Sequence, residues 1–75
     1  MIDLIKSAAA VDDNKAKTMA VMLLINETGA THLEVSKRTG IDLDLVFLYW
    51  SMGKLTWTKK SFREQYRKLR SLLTL

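Results

Sequence analysis

Cationic and aromatic side chains are concentrated in the last third of this sequence, where they could contact a polyanion such as nucleic acid. Residues 1–53 carry five basic and seven acidic side chains, a net charge of −2, whereas residues 54–75 carry seven basic and one acidic side chain, a net charge of +6. Lysine and arginine neutralise backbone phosphates, and an indole can stack on a base or a sugar. The candidate nucleic-acid contacts are Lys54, Trp57, Lys59, Lys60, Arg63 and Arg67. The alternative interpretation of these charges is a solvated loop followed by a solvated helix face.

The other polar residues do not form a pattern typical of catalysis or metal binding. His32 is the only histidine, and the sequence has no cysteine to join it as a metal ligand or nucleophile. The acidic pairs Asp12/Asp13 and Asp42/Asp44 are better explained by helix starts, where carboxylates interact favourably with the helix dipole. We therefore expect neither an enzyme nor a bound cofactor.

Glycines and helix-capping residues divide the chain into short helices. The sequence has no proline, and its three glycines lie at positions 29, 40 and 53, where each is predicted to end a helix. Asp13 is predicted to cap a helix that ends at Gly29, because apolar residues recur between them at three- and four-residue spacing. A shorter helix from Ile2 to about Ala10 is predicted to precede it.

Two further helices are predicted on either side of Gly40. Thr31 and Glu34 fit a capping box, in which each side chain hydrogen-bonds to the backbone N–H of the other residue. The helix that begins there is predicted to end at Gly40. Asp42 is then predicted to cap a third helix, unusually rich in apolar residues, which Gly53 ends.

The last third of the chain is predicted to contain a basic helix. Ser61 and Glu64 fit a second capping box, which would start a helix over residues 61–74. Its apolar side chains recur on one face, at Phe62, Tyr66, Leu69 and Leu73. Residues 55–58 alternate aromatic or apolar side chains with threonine, which permits a short strand.

The segment HLEVSKRTGIDLDLVFLYWSMGK, residues 32–54, joins two of these helices through Gly40. Ser36 lies four residues before the glycine, Ile41 follows it, and Val46 and Tyr49 sit where the second helix would pack on the first. This segment resembles the helix-turn-helix of phage-repressor-type DNA-binding domains, and the resemblance covers roughly residues 13–73. It implies a helix-turn-helix segment at 32–53. The length of the chain predicts a single domain over residues 1–75, which also includes the basic helix at 61–74.

Residues 52–57, Met-Gly-Lys-Leu-Thr-Trp, are also similar to the passage from recognition helix to wing in winged-helix proteins. This second resemblance ranks below the first. The predicted fold class is all-α, a small helix-turn-helix bundle of four to five short helices, with a rudimentary β wing near residues 55–58 as an option.

The outward side of the predicted recognition helix is not suited to reading bases. By its spacing from Gly40 this side would carry Asp42, Leu43, Asp44, Phe47, Leu48 and Ser51. Carboxylates are repelled by phosphates, and apolar side chains form no hydrogen bonds with base edges. Phe47, Leu48 and Trp50 are therefore predicted to form an exposed apolar patch, which on a soluble protein usually marks a protein interface. The alternatives are that neighbouring elements bury this helix or that it reads bases.

These patterns favour a small regulator of transcription, of phage, plasmid or microbial type, that binds double-stranded DNA through its basic last third. A 75-residue chain without disulfides also favours association, most simply as a homodimer. The rival hypothesis is an inhibitor or adaptor that holds a partner protein with Phe47, Leu48 and Trp50. We expect a cytoplasmic protein without membrane contact, because the longest apolar run is seven residues and the N-terminus has no basic lead of the secretory type.

Overall fold

Helices account for most of the chain. The computed structural model describes residues 1–74, and in that part of the chain it has five α-helices and no strand. They are α1 (Ile2–Ala9), α2 (Asp13–Thr28), α3 (His32–Thr39), α4 (Leu43–Thr56) and α5 (Lys60–Leu72). The predicted all-α class is confirmed, and α1 ends one residue before the predicted position. None of the five helices is both long enough and apolar enough to cross a bilayer.

The central helix is α2, against which each of the other four helices packs. With α1 and α5 it forms one core cluster, which consists of Ile5, Ala16, Met19, Ala20, Met22, Leu23, Phe62, Tyr66 and Leu69. With α3 and α4 it forms a second cluster, which consists of Val21, Leu24, Ala30, Val35, Ile41, Val46 and Tyr49. Because neighbours cover α2 on several sides, its apolar run over residues 19–24 is buried without interruption.

Side-chain caps start α2 and α3. The side chain of Asp12, not that of Asp13 as predicted, accepts a hydrogen bond of 2.8 Å from the backbone N–H of Lys15. Asp13 belongs to the first helical turn instead. At α3 the predicted capping box is confirmed, because Glu34 N donates to Thr31 Oγ1 and Thr31 N donates to Glu34 Oε1, both at 3.1 Å.

The three glycines have two different structural roles. Gly29 and Gly40 end α2 and α3 with φ angles of +70° and +75°, as predicted, because glycine adopts this left-handed conformation without a steric penalty. The predicted stop at Gly53 is wrong, because α4 continues through this residue to Thr56. A Cβ at Gly53 would collide with Sδ and Cγ of Met22. Gly53 therefore permits the close approach of α4 to α2 and does not end a helix.

The connection between α4 and α5 differs from the predicted wing and capping box. Because α4 extends to residue 56, it takes up the residues that a wing would need, and no strand forms at 55–58. α5 begins at Lys60 without a side-chain cap, one residue before Ser61, so the second predicted capping box is wrong. Its predicted apolar face is confirmed, since Phe62, Tyr66 and Leu69 are buried and Leu73 packs against them.

Candidate functional site

One side of α4 packs against α2 and α3, and these contacts fix which side of the helix faces outward. Ser36 Oγ donates a hydrogen bond of 2.6 Å to the carbonyl oxygen of Ile41, which joins the end of α3 to the turn before α4. Tyr49 OH donates to Asn14 Oδ1 at 3.2 Å, which joins the middle of α4 to the start of α2. Val46 and Tyr49 are buried between these helices. The other side of α4 is therefore left open to solvent or to a partner.

Four exposed apolar side chains follow one another along this open side of α4, at Leu45, Leu48, Met52 and Leu55. Their spacing of three, four and three residues places them on one helix face, which we call the apolar α4 face. Leu48 is 51% exposed and Leu55 is 76% exposed. A helix face of this composition and spacing is typical of packing against another helix.

Two other predicted interface residues, Phe47 and Trp50, lie beside the apolar α4 face. Phe47 is exposed and stacks on His32, with ring centroids 4.4 Å apart and an interplanar angle of 16°. Trp50 is half-buried and packs against both core clusters, and the Lys54 ammonium group lies 5.1 Å from its ring centroid. Phe47 and Leu48 are therefore accessible to a partner, whereas Trp50 contributes mainly to the core.

The beginning of α4 is acidic and lacks cationic partners. Asp42 occupies the predicted N-cap position, but its side chain makes no capping hydrogen bond. Asp44 lies in the first turn, and both carboxylates are exposed. Within residues 1–74 neither of them takes part in an ion pair. These two negative charges oppose an approach of this helix end to a phosphate backbone.

Most of the predicted nucleic-acid contacts lie on or just before α5. Lys60, Arg63 and Arg67 recur at three- and four-residue spacing and so lie along one side of α5, where Lys60 and Arg67 are exposed and Arg63 is half-buried. Lys60 Nζ lies 3.9 Å from a carboxylate oxygen of Glu64. In the described part of the chain, this is the one ion pair made by the predicted nucleic-acid contacts. We call the following side chains the basic surface: Lys54, Lys59, Lys60, Arg63 and Arg67.

Trp57 and Arg63 are already engaged within the protein. The indole of Trp57 makes T-shaped contacts with the rings of Phe62 and Tyr66, with centroid distances of 6.3 Å and 5.0 Å. Arg63 Nη1 donates a hydrogen bond of 2.8 Å to the carbonyl oxygen of Trp57. Only the part of the indole that these contacts leave open is available for stacking on a base.

A hydrogen-bonded cluster around Tyr66 is absent from the sequence predictions. Tyr66 OH donates to Glu27 Oε1 at 2.9 Å and accepts from Asn26 Nδ2 at 3.4 Å. Arg70 Nη1 lies 3.8 Å from the same carboxylate oxygen of Glu27. Burial raises the pKa of Tyr66 to about 12. The cluster joins α5 to the end of α2 and neutralises Arg70, so Arg70 is less available than its neighbours to an external anion.

His32 lies in the first turn of α3, as its position after Thr31 predicted. Its Nε2 atom is buried and has no hydrogen-bond partner among the described residues, and its ring makes a T-shaped contact of 6.1 Å with Trp50. Nowhere in residues 1–74 do three or more histidine, aspartate or glutamate side chains come together as a metal site would require. In the structure, His32 packs as one of a group of aromatic rings.

Comparisons with protein-family models, with curated proteins and with solved structures found no match to this chain. The two surfaces are therefore interpreted from their own chemistry. One is the apolar α4 face, which begins beside the exposed carboxylates of Asp42 and Asp44, and the other is the basic surface of the last third.

Proposed function

We propose that this chain is a small helix-turn-helix-like regulator of transcription that binds double-stranded DNA as a dimer. The observation that carries the proposal is the basic surface, where five cationic side chains have one intramolecular ion pair within the described residues. Cations that lack carboxylate partners bind phosphates favourably, because counterions held by the nucleic acid are released.

The packing of α3 and α4 supports the helix-turn-helix part of the proposal. Gly40 permits the turn, and Ser36 is hydrogen-bonded across it to Ile41. Val46 and Tyr49, the positions at which the second helix of such a motif packs on the first, are buried in the cluster shared with α3.

The chemistry of α4 limits how such a domain would contact DNA. Its outward side carries acidic and apolar residues and lacks the arginine, asparagine or glutamine side chains that pair with base edges. Phosphate contacts position a protein on DNA but carry little sequence information. The regulator would therefore act by occupying DNA, with affinity that depends steeply on salt.

A duplex titration tests the basic surface. Replacement of both Lys60 and Arg67 by alanine should weaken binding to any duplex and reduce the slope of log K against log salt concentration by about 2, since each phosphate contact contributes about 0.9. The matched control replaces Lys37 and Arg38, also one exposed lysine and one exposed arginine, which lie at the end of α3. Fluorescence anisotropy with a random-sequence duplex at several salt concentrations measures both.

Two results would contradict the proposal. One is a parent chain that shows no binding to duplex even at low salt. The other is a loss of affinity in the control that equals the loss in the Lys60 and Arg67 variant, because the basic surface would then have no special role.

A protein-binding inhibitor or adaptor is the second candidate function, and the apolar α4 face is the observation that favours it. In that case Phe47→Ser together with Leu48→Ser should abolish capture of the partner, while the Lys60 and Arg67 variant should bind the partner as the parent does. Helical circular dichroism should be unchanged in both, because all four side chains are at least partly exposed.

A further inference from the structure

We infer that the apolar α4 face binds the same face of a second copy of this chain, with the two α4 helices antiparallel. The inference rests on the dimer in the proposed function and deepens it by assigning the contact surface and its geometry. It uses only residues of α4 and the connection that follows, so it can be tested without nucleic acid.

The spacing of the apolar α4 face matches a helix–helix seam. Positions 45, 48, 52 and 55 alternate by three and four residues, as do the a and d positions of a coiled coil, over about 15 Å of helix. An antiparallel pair with its two-fold axis near residue 50 places Leu45 opposite Leu55 of the second copy and Leu48 opposite Met52. Each of the four side chains then has an apolar partner, and the contact is self-complementary, as a two-fold dimer requires.

The charges at the two ends of α4 favour the antiparallel arrangement. The helix begins with the exposed carboxylates of Asp42 and Asp44, and Lys59, just beyond its last turn, is exposed and cationic. Antiparallel pairing places the acidic start of one helix beside the basic end of the other, at both ends of the seam. Parallel pairing would place like charges together at both ends, which is unfavourable.

The dimer would also separate association from contact with DNA. With α4 covered by a second copy, its outward side is no longer available to a DNA groove. Lys60 and Arg67 lie on the outward face of α5 and are not part of the α4 seam. A variant of the seam should therefore change association, and a variant of these two residues should change nucleic-acid affinity alone.

Sedimentation equilibrium without nucleic acid, from about 1 µM to 1 mM, tests the contact. Leu48→Ser should raise the dimer Kd about 100-fold or more, because the apolar side chain is lost from both copies. The matched control is Leu33→Ser on α3, since Leu33 is 52% exposed and Leu48 is 51% exposed. The control should leave the Kd unchanged, and both variants should keep the helical circular dichroism of the parent.

Disulfide cross-linking tests the orientation, because the chain has no cysteine of its own. Leu45→Cys and Leu55→Cys should each fail to cross-link alone, since identical positions are about 15 Å apart in the antiparallel pair. A mixture of the two variants should form the mixed disulfide rapidly on mild oxidation. A parallel pair would give the opposite result, with rapid cross-linking of Leu45→Cys to itself.

Charge reversal tests whether opposite charges at the two ends of α4 favour the antiparallel dimer. Asp44→Lys and Lys59→Glu should each weaken the dimer at low salt, and the double variant should recover the parent Kd because opposite charges again lie together at the ends of the seam. Three results would overturn the inference: a monomer at every concentration, equal effects of Leu33→Ser and Leu48→Ser, or self-cross-linking of Leu45→Cys. A monomer that still binds duplex through Lys60 and Arg67 would overturn the dimer and leave nucleic-acid binding intact.

Discussion

Helices α2 and α4 both carry apolar side chains on several faces, and the rest of the chain covers them differently. Residues 18–24 of α2 are all buried, because four helices surround it. In α4 the buried residues are Val46, Tyr49 and Gly53, whereas the four residues of the apolar α4 face remain in water. An apolar helix indicates that contacts are needed on several sides. For α2 the chain supplies these contacts on every side, and for α4 it supplies them only on the side of Val46, Tyr49 and Gly53.

Truncation of one leucine in each helix should give the largest contrast. Leu23→Ala, in the fully buried part of α2, should lower the free energy of unfolding by about 2–5 kcal/mol, because the change removes apolar contacts and leaves a cavity. Leu48→Ala should change it by about 0.5 kcal/mol or less. Urea denaturation at a concentration where the chain is monomeric measures both. Equal losses would mean that α4 is covered within a single chain.

The close approach of the two helices can be tested at Gly53. Gly53→Ala should destabilise the fold by about 1–3 kcal/mol, because the new Cβ collides with the middle of the Met22 side chain and forces the helices apart. Ser51→Ala is the control on the exposed side of α4 and should have little effect. A stabilising Gly53→Ala, as helix propensity alone predicts, would show that α2 and α4 are not in close contact there.

Substitution of two tyrosines compares the hydrogen bonds that join α2 to α5 and to α4. Tyr66→Phe removes the hydrogen bonds with Glu27 and Asn26, and it should cost about 1 kcal/mol or slightly more. Tyr49→Phe removes one hydrogen bond, with Asn14, and should cost less. Thermal unfolding followed by circular dichroism gives the ranking. The reverse ranking would place the stronger polar contact between α2 and α4.

The smallest expected effect concerns the acidic helix starts. A hydrogen bond from Lys17 holds the pKa of Asp13 below its ordinary value of 3.8, with Oδ2 2.7 Å from Nζ. Because the folded-state pKa is lowered, the stabilisation is present above about pH 4 and is lost as the pH falls through the folded-state value.

The melting temperatures of the parent and Asp13→Asn should therefore differ at pH 6 and converge as the pH falls below the folded-state pKa of Asp13. Asp44→Asn is the matched control in the first turn of α4, where the carboxylate has no ion pair within the described residues. It should give a smaller difference at pH 6. If the Asp13→Asn difference persists in acid, the ion pair is not its cause.

Features that depend on residues a few positions apart could be predicted from the sequence. The capping box of Thr31 and Glu34 and the helix ends at Gly29 and Gly40 belong to this group, because their hydrogen bonds and backbone angles are local. The cap of α2 was misplaced by one residue, since Asp12 and Asp13 are chemically equivalent and only the geometry of the first turn selects one of them.

Features that depend on distant residues could not be predicted in the same way. Gly53 matches the pattern of a helix stop, and its actual role depends on Met22 in another helix. Trp57 matches the pattern of an exposed ring among cations, and its contacts with Phe62 and Tyr66 exist only after α5 folds back on α2. In both cases tertiary packing overrides the local pattern.

The sequence by itself determined the helical class, the C-terminal ends of α2 and α3, the apolar face of α5 and the position of the positive charge. These features follow from helix propensity, glycine conformation, periodicity and charge, which are local or additive properties. Only the tertiary structure decided where α4 ends and which of its apolar residues are covered. Burial is a property of neighbours, and a helix that is apolar on two sides has the same sequence whether its second side meets its own chain or another copy.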